Sequence, residues 1–117
     1  VISPPSDKVF RENPLDLDAF CRDLVRRTPD HLEEGGIFQM VCEWAEIEGQ
    51  PWQERLAAWF RDSGCDAWVL KSVSQDTSWY ALTRLREVAQ VSEARDGELY
   101  DAWMTYYRSR GLRAVHG

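Results

Sequence analysis

A layered α/β sheet is the fold class this sequence predicts. Two junctions carry that prediction. Residues 30–44 pass from the end of a helix through Gly35-Gly36 into the apolar run Ile37–Trp44. Residues 52–70 repeat the scheme, with an amphipathic helix, Gly64, and then Cys65-Asp66-Ala67-Trp68-Val69-Leu70. Two consecutive helix-to-strand units suit a sheet with helices packed on it. In such sheets the ligand chemistry sits on the loops that follow the strands.

The elements follow in order. Residues 1–14 form a Pro-punctuated loop in which Val1-Ile2 end a strand and Pro4-Pro5 stop it. A helix is predicted from Asp16 to His31, with Leu17, Phe20, Cys21, Leu24, Val25 and Thr28 on one face. Asp16 is its expected N-cap, Asp18 suits the positive end of its dipole, and Pro29 ends or bends it. Ile37–Trp44 lacks polar alternation, as a strand buried on both faces would. Pro51 fits the first position of a helix whose apolar face is Trp52, Leu56, Trp59 and Phe60. Gly64 closes that helix and Cys65–Ser72 is the next strand. Asp76 or Thr77 caps a helix over 78–88, residues 89–97 are a polar loop, and a last helix spans 98–110. Gly111 stops it, and Leu112–Val115 opens another strand.

Bulk composition narrows the function classes. The 117 residues suffice for one small domain, and 44% are hydrophobic, which excludes a disordered polymer. The net charge of −6 argues against a nucleic-acid-binding module, which needs concentrated Lys and Arg. Cys21, Cys42 and Cys65 are scattered, odd in number and lack any C-x-x-C spacing. A disulfide framework and a zinc site are therefore not expected, and reduced thiols in a cytoplasmic protein are. No apolar run approaches membrane length and no signal-peptide pattern is present. The first residue is Val, which points to processing, a cut from something longer, or a partial sequence.

Several residues admit both a chemical and a bland reading. Glu43 and Glu46 flank Trp44 after a strand, either as paired carboxylates or, as we favour, as a solvated loop. His31 and His116 lack a nucleophile context and read as surface residues; His31 complements a helix C-terminus. Trp52, Trp59, Trp68, Trp79 and Trp103 lie on apolar faces and read as core rather than as a base-stacking platform. The arginines at 22, 26, 27 and at 108, 110, 113 read as solvated faces.

The order of these segments resembles one family. Val1-Ile2-Ser3-Pro4 is followed by Phe10-Arg11-Glu12, then by a helix and Leu32-Glu33-Glu34-Gly35-Gly36-Ile37. Next come Trp52-Gln53-Glu54-Arg55, the strand from Gly64 to Val69, and Trp79-Tyr80-Ala81. This run is similar to the class I S-adenosylmethionine-dependent methyltransferases of the small-domain type, which include the release-factor glutamine methyltransferases. There, comparable segments follow an Asn-Pro-Pro-aromatic motif after the fourth strand. The resemblance implies that residues 1–117 are a partial methyltransferase domain. It would be the C-terminal half of a Rossmann-like sheet, helix-rich, with two or three strands. The Gly-rich loop that grips the cofactor, the acidic residue for its ribose and the Asn-Pro-Pro-aromatic motif are not in this sequence.

The resemblance implies a parent enzyme that uses S-adenosylmethionine to methylate a nitrogen of a protein or nucleic-acid substrate. Methyl transfer needs donor and acceptor held in line in a desolvated pocket. The residues thought to orient the acceptor are not present, so no catalytic residue is assigned, and the piece alone is expected to be inactive. Ser3, Pro4, Phe10 and Arg11 fall on the substrate side, as a substrate-facing loop or an ordinary connection. Arg11 leads them, because a guanidinium binds carboxylate or phosphate bidentately. No cofactor-binding or metal residue is assigned. The competing readings are a non-enzymatic α/β interaction module and a homodimer paired through an exposed sheet edge at Val1-Ile2.

Overall fold

An apolar run becomes a strand only where a neighbouring strand takes up its backbone groups, and that rule shapes this chain. The computed structural model describes residues 2–5, 15–88 and 93–117. Helix α1 is Ala19–Arg27, continued by a 3-10 turn at Thr28–His31; β1 is Trp44–Ile47 and α2 is Trp52–Phe60. Strand β2 is Ser74–Asp76, α3 is Thr77–Val88, α4 is Glu93–Ser109 and β3 is Leu112–His116.

The sheet order is β1-β3-β2, with β3 antiparallel to both neighbours. Strands β1 and β2 therefore run in the same direction without touching. Val115 sits opposite Ala45 on one side and Gln75 on the other. A bulge between Glu46 and Ile47 ends regular pairing with β3. Gly111, at φ +64, stops α4 as expected and turns the chain into β3; its carbonyl accepts the Glu48 N–H at 2.8 Å.

Successive side chains on β1 point to opposite faces, and each face has its own core. Trp44 packs with Val25 of α1 and with Leu56 and Trp59 of α2. Ala45 packs with Val115, with Tyr80, Ala81 and Leu85 of α3, and with Trp103 and Tyr107 of α4. Ile2 and Leu17 join this second core. The result is a small α/β fold, helices on both sides of a three-stranded sheet.

Most sequence-based boundaries hold, with four corrections. The strand foreseen at Ile37–Trp44 begins only at its last residue, Trp44, and the one foreseen at Cys65–Ser72 is no strand; β2 starts beyond it, at Ser74. Among the described residues 37–43 and 65–71 belong to no strand: β3 ends at His116, and Gly117 beyond it bonds to Ser72 and Val73. Ile37–Trp44 is accordingly not buried on both faces; Val41 is fully exposed. Helix α1 starts at Ala19 rather than Asp16, because Leu17 takes the left-handed conformation (φ 47) and both neighbouring aspartates are bound elsewhere. Helix α4 begins at Glu93, inside the expected polar loop, because a run of helix formers outweighs the roughly 1 kcal/mol cost of Gly97.

The cap of α3 is Asp76, whose Oδ1 accepts the Trp79 N–H at 2.9 Å and the Ser78 hydroxyl at 2.6 Å. Pro51 occupies the N-cap of α2. Among the described residues no helix is long and apolar enough to cross a membrane.

Candidate functional site

Ser3 and Pro4 lie on a segment fixed by two tyrosines. The Ile2 N–H donates to Tyr80 Oη at 2.9 Å, and the Tyr107 hydroxyl donates to the Ile2 carbonyl at 2.5 Å. Tyr80 in turn donates to Glu43 at 2.5 Å, and Glu43 is ion-paired with Arg84. Ile2 is thus saturated on both backbone groups, and the edge anticipated at Val1-Ile2 is not free there. Ser3 is fully buried, and among the described residues its hydroxyl has no hydrogen-bond partner. An orphan hydroxyl of this kind costs about 1–3 kcal/mol. Pro4 is half-buried. Phe10 and Arg11 lie outside the described residues.

This tyrosine cluster has a pH signature. Burial pushes the Tyr80 and Tyr107 phenols well above the ordinary tyrosine range, and the charge of Glu43 adds to the shift at Tyr80. Burial and the hydrogen bond to Asp16 push Tyr106 up to about 12. A group whose value is raised on folding stabilises the fold fully below its unfolded value, near 10, and loses that contribution as pH rises through its folded value. The urea midpoint is therefore expected to hold up to about pH 10 and to fall beyond it. Tyr106→Phe should lose less in that alkaline window. An equal loss in both proteins would count against this account.

A second cluster crosses all three strands. His116 Nδ1 lies 2.6 Å from Ser74 Oγ and its Nε2 lies 2.7 Å from Glu46 Oε2. His116 is buried, with Trp44 and Trp52 packed against its ring at 6.1 and 5.8 Å. The surface role expected of His116 is thereby corrected; β3 places it on the Trp44 face, in register with Trp44 and Ser74. Hydroxyl, imidazole and carboxylate stand in the order of a nucleophile, a base and its orienting acid. Acyl transfer also needs donors aimed at a developing oxyanion. The nearby Ser72 and Val73 N–H groups instead donate to the Gly117 carbonyl. Among the described residues, Lys71 Nζ at 3.5 Å is the one hydrogen-bond partner of Ser74 Oγ besides the imidazole. The described geometry accounts for the cluster as a tie between strands.

Glu43 and Glu46 do not form a carboxylate pair. An odd offset of three along an extended chain puts them on opposite faces, Glu43 against Tyr80 and Arg84 and Glu46 against His116. Neither is a solvated loop residue. The tryptophans divide: Trp59 and Trp103 are buried and Trp52 is half-buried, whereas Trp68 is 87% and Trp79 52% exposed. The arginine segments behave as solvated faces, with Arg22 on Asp23 and Arg110 on Asp16. His31 is exposed.

The third feature is a groove where the sheet stops. Residues 37–43 and 65–73 run on from β1 and β2 without a strand between them. Residues 38–42, 68–70 and 72, with Trp44, Leu56 and Gly117, line a cavity of about 550 Å³. Val41, Trp68 and Leu70 stand exposed along it. Among the described residues, no backbone hydrogen bond joins 37–42 to another segment.

S-adenosylmethionine does not fit the residues present. The turn after β1 carries the single Gly49 and is closed on itself by the Gln50 N–H to Ile47 carbonyl bond at 3.0 Å. It offers no row of free N–H groups. Among the described residues no group of three or more His, Cys, Asp or Glu side chains could hold a metal ion. No family model, curated protein or solved structure matches this chain.

Proposed function

We propose that this chain is the C-terminal part of a S-adenosylmethionine-dependent methyltransferase that acts on a nitrogen of a protein or nucleic-acid acceptor. Its own residues supply scaffold, and the donor-binding residues lie outside it. The observation that carries this reading is the strand arrangement. Two like-directed strands, each preceded by a helix, flank a last strand inserted antiparallel between them. On this reading they correspond to strands five and six and to the start of a final strand. The groove, and the absence among the described residues of backbone bonds from 37–42 to another segment, agree with a sheet that other strands complete.

The chain alone is expected to bind no donor. Titration calorimetry with S-adenosylmethionine should give no heat of binding at millimolar donor, and saturable binding would sink the proposal. Mixing the chain with the donor-binding half of a release-factor-type glutamine methyltransferase, and following transfer of a labelled methyl group, tests the positive side. Transfer in the mixture and in neither half alone supports the reading.

The exposed groove favours a second reading, a non-enzymatic module that binds a partner protein along 37–43 and 65–73. A mixture that assembles but transfers no methyl group supports that alternative instead.

A further inference from the structure

Strands β1 and β2 run in the same direction on either side of β3, so the segments that lead into them border a lane in line with β3. At its mouth two ladder spacings set roughly 9–10 Å between the walls. Gly117 occupies that mouth. It bonds to Ser72 and Val73 on one side, at 2.8, 2.9 and 3.1 Å, and a Cβ on it would lie 3.5 Å from the Cys42 carbonyl oxygen on the other. The lane then opens into the cavity of about 550 Å³, which continues past Phe38 and Trp68 into a second of about 590 Å³ bordered by Gly35 and Gly36.

The walls leave their backbone groups available for a ladder. Among the described residues no backbone hydrogen bond joins 37–42 or 66–71 to another segment. Met40, Cys42 and Val69 pack on the core of α1 and α2, whereas Val41, Trp68 and Leu70 are exposed. A strand between the walls would meet apolar side chains on both faces, as the middle strand of a covered sheet does. The two ends of the lane differ in charge. Glu33, Glu34 and Asp66 border the far cavity, and among the described residues none of these carboxylates has a cationic partner.

We propose that this lane takes one extended strand of a partner polypeptide, antiparallel to 37–42 and 66–71, apolar on both faces and basic at its C-terminal end. The walls lead into two like-directed strands, so the occupant is antiparallel to both or parallel to both. The antiparallel choice continues the pairing that β3 already makes and gives the more stable ladder. In that direction the strand enters beside Gly117 and its last residues reach Glu33, Glu34 and Asp66, where Lys or Arg is attracted and a carboxylate repelled. Main-chain bonds to both walls supply affinity, and the charged end fixes the register. The proposal rests on reading the groove as a place that another strand completes, which both functions above share, and it makes no use of a methyl donor.

The test is titration of the chain into the synthetic peptide fluorescein-Ser-Val-Ile-Val-Leu-Val-Lys-Lys-amide, followed by fluorescence anisotropy, with hydrogen exchange measured on the complex. The expected result is saturable binding with slowed exchange of the 37–42 and 66–71 amides. Pro in place of the middle Val should abolish binding, because it removes a ladder donor. Glu-Glu in place of Lys-Lys should weaken binding at least about tenfold. With Glu33→Lys and Glu34→Lys combined, the preference should reverse and the Glu-Glu peptide should bind the tighter. Neither side chain takes part in the turn bond from the Gly36 N–H to the Glu33 carbonyl, so the fold is expected to survive, as circular dichroism would show. No binding, equal binding of all three peptides, or protection confined to other segments would overturn the proposal. So would a chain that sediments as a dimer with its 37–42 amides already protected, since a second copy would then fill the lane. Methyl transfer by the mixed halves without peptide binding would sink this inference alone and leave the methyltransferase reading standing.

Discussion

Replacing Asp18 with alanine lowers the unfolding free energy by about 3–5 kcal/mol, measured by urea denaturation. Asp18 is buried, and its carboxylate does two things at once. Its Oδ2 accepts the Ala45 N–H of β1 at 2.8 Å, and its Oδ1 holds the Arg55 guanidinium of α2 at 2.5 Å. One side chain thus joins the start of α1, the outer edge of β1 and α2. Its removal leaves a strand N–H without an acceptor and a mostly buried guanidinium whose Nε already has no partner among the described residues. Both penalties fall on the mutant, because breaking one side of a buried pair costs more than the intact pair contributes. Asp18→Asn keeps an acceptor for Ala45 and should fall between wild type and alanine. Arg55→Met added to Asp18→Ala should recover part of the loss. Strict additivity of the two single changes would mean that the pair does not act as a unit.

The second large effect separates two tryptophans that the sequence treats alike. Trp59→Ala is expected to cost about 3–5 kcal/mol, as large-to-small changes in a packed core do. Trp59 is buried in the core it shares with Val25, Trp44 and Leu56. Trp68→Ala is expected to change stability by less than about 0.5 kcal/mol, because the ring is largely exposed. Comparable losses from both would mean that the 65–73 segment is packed in solution.

That contrast shows how much the amino-acid pattern can convey. Elements bounded by local chemistry were legible: Pro51 before α2, Asp76 capping α3, Gly111 ending α4. The apolar face of α2 was legible because helical spacing alone defines it. An extended run has no such internal reference. Whether Trp68 is core or surface depends on which strand lies beside it, and the same holds for Val41. The strand-crossing contact of His116 with Ser74 and Glu46 was hidden for this reason too. It exists only because β3 enters between β1 and β2, and nothing local in Leu112–His116 announces that register. Period-2 alternation could have separated Glu43 from Glu46. Ser3 and Pro4 were singled out by resemblance; their burial comes from Tyr80 and Tyr107, whose hydroxyls no sequence pattern directs to Ile2.

The position of β3 also bears on how the chain acquires its structure. The middle strand of the sheet comes after both strands it joins, and Glu46 meets His116 across 70 intervening positions. Neither β1 nor β2 can form a ladder with the other in its absence. During synthesis from the N-terminus, helices α1 to α4 emerge while the two strand segments still wait for their common neighbour. Closing so long a loop before any strand pairing is gained makes the sheet a late event, paced by chain topology rather than by local preference. Until that closure, the apolar rows beside β1 and β2 face solvent, and this interval is when association with other chains competes with folding.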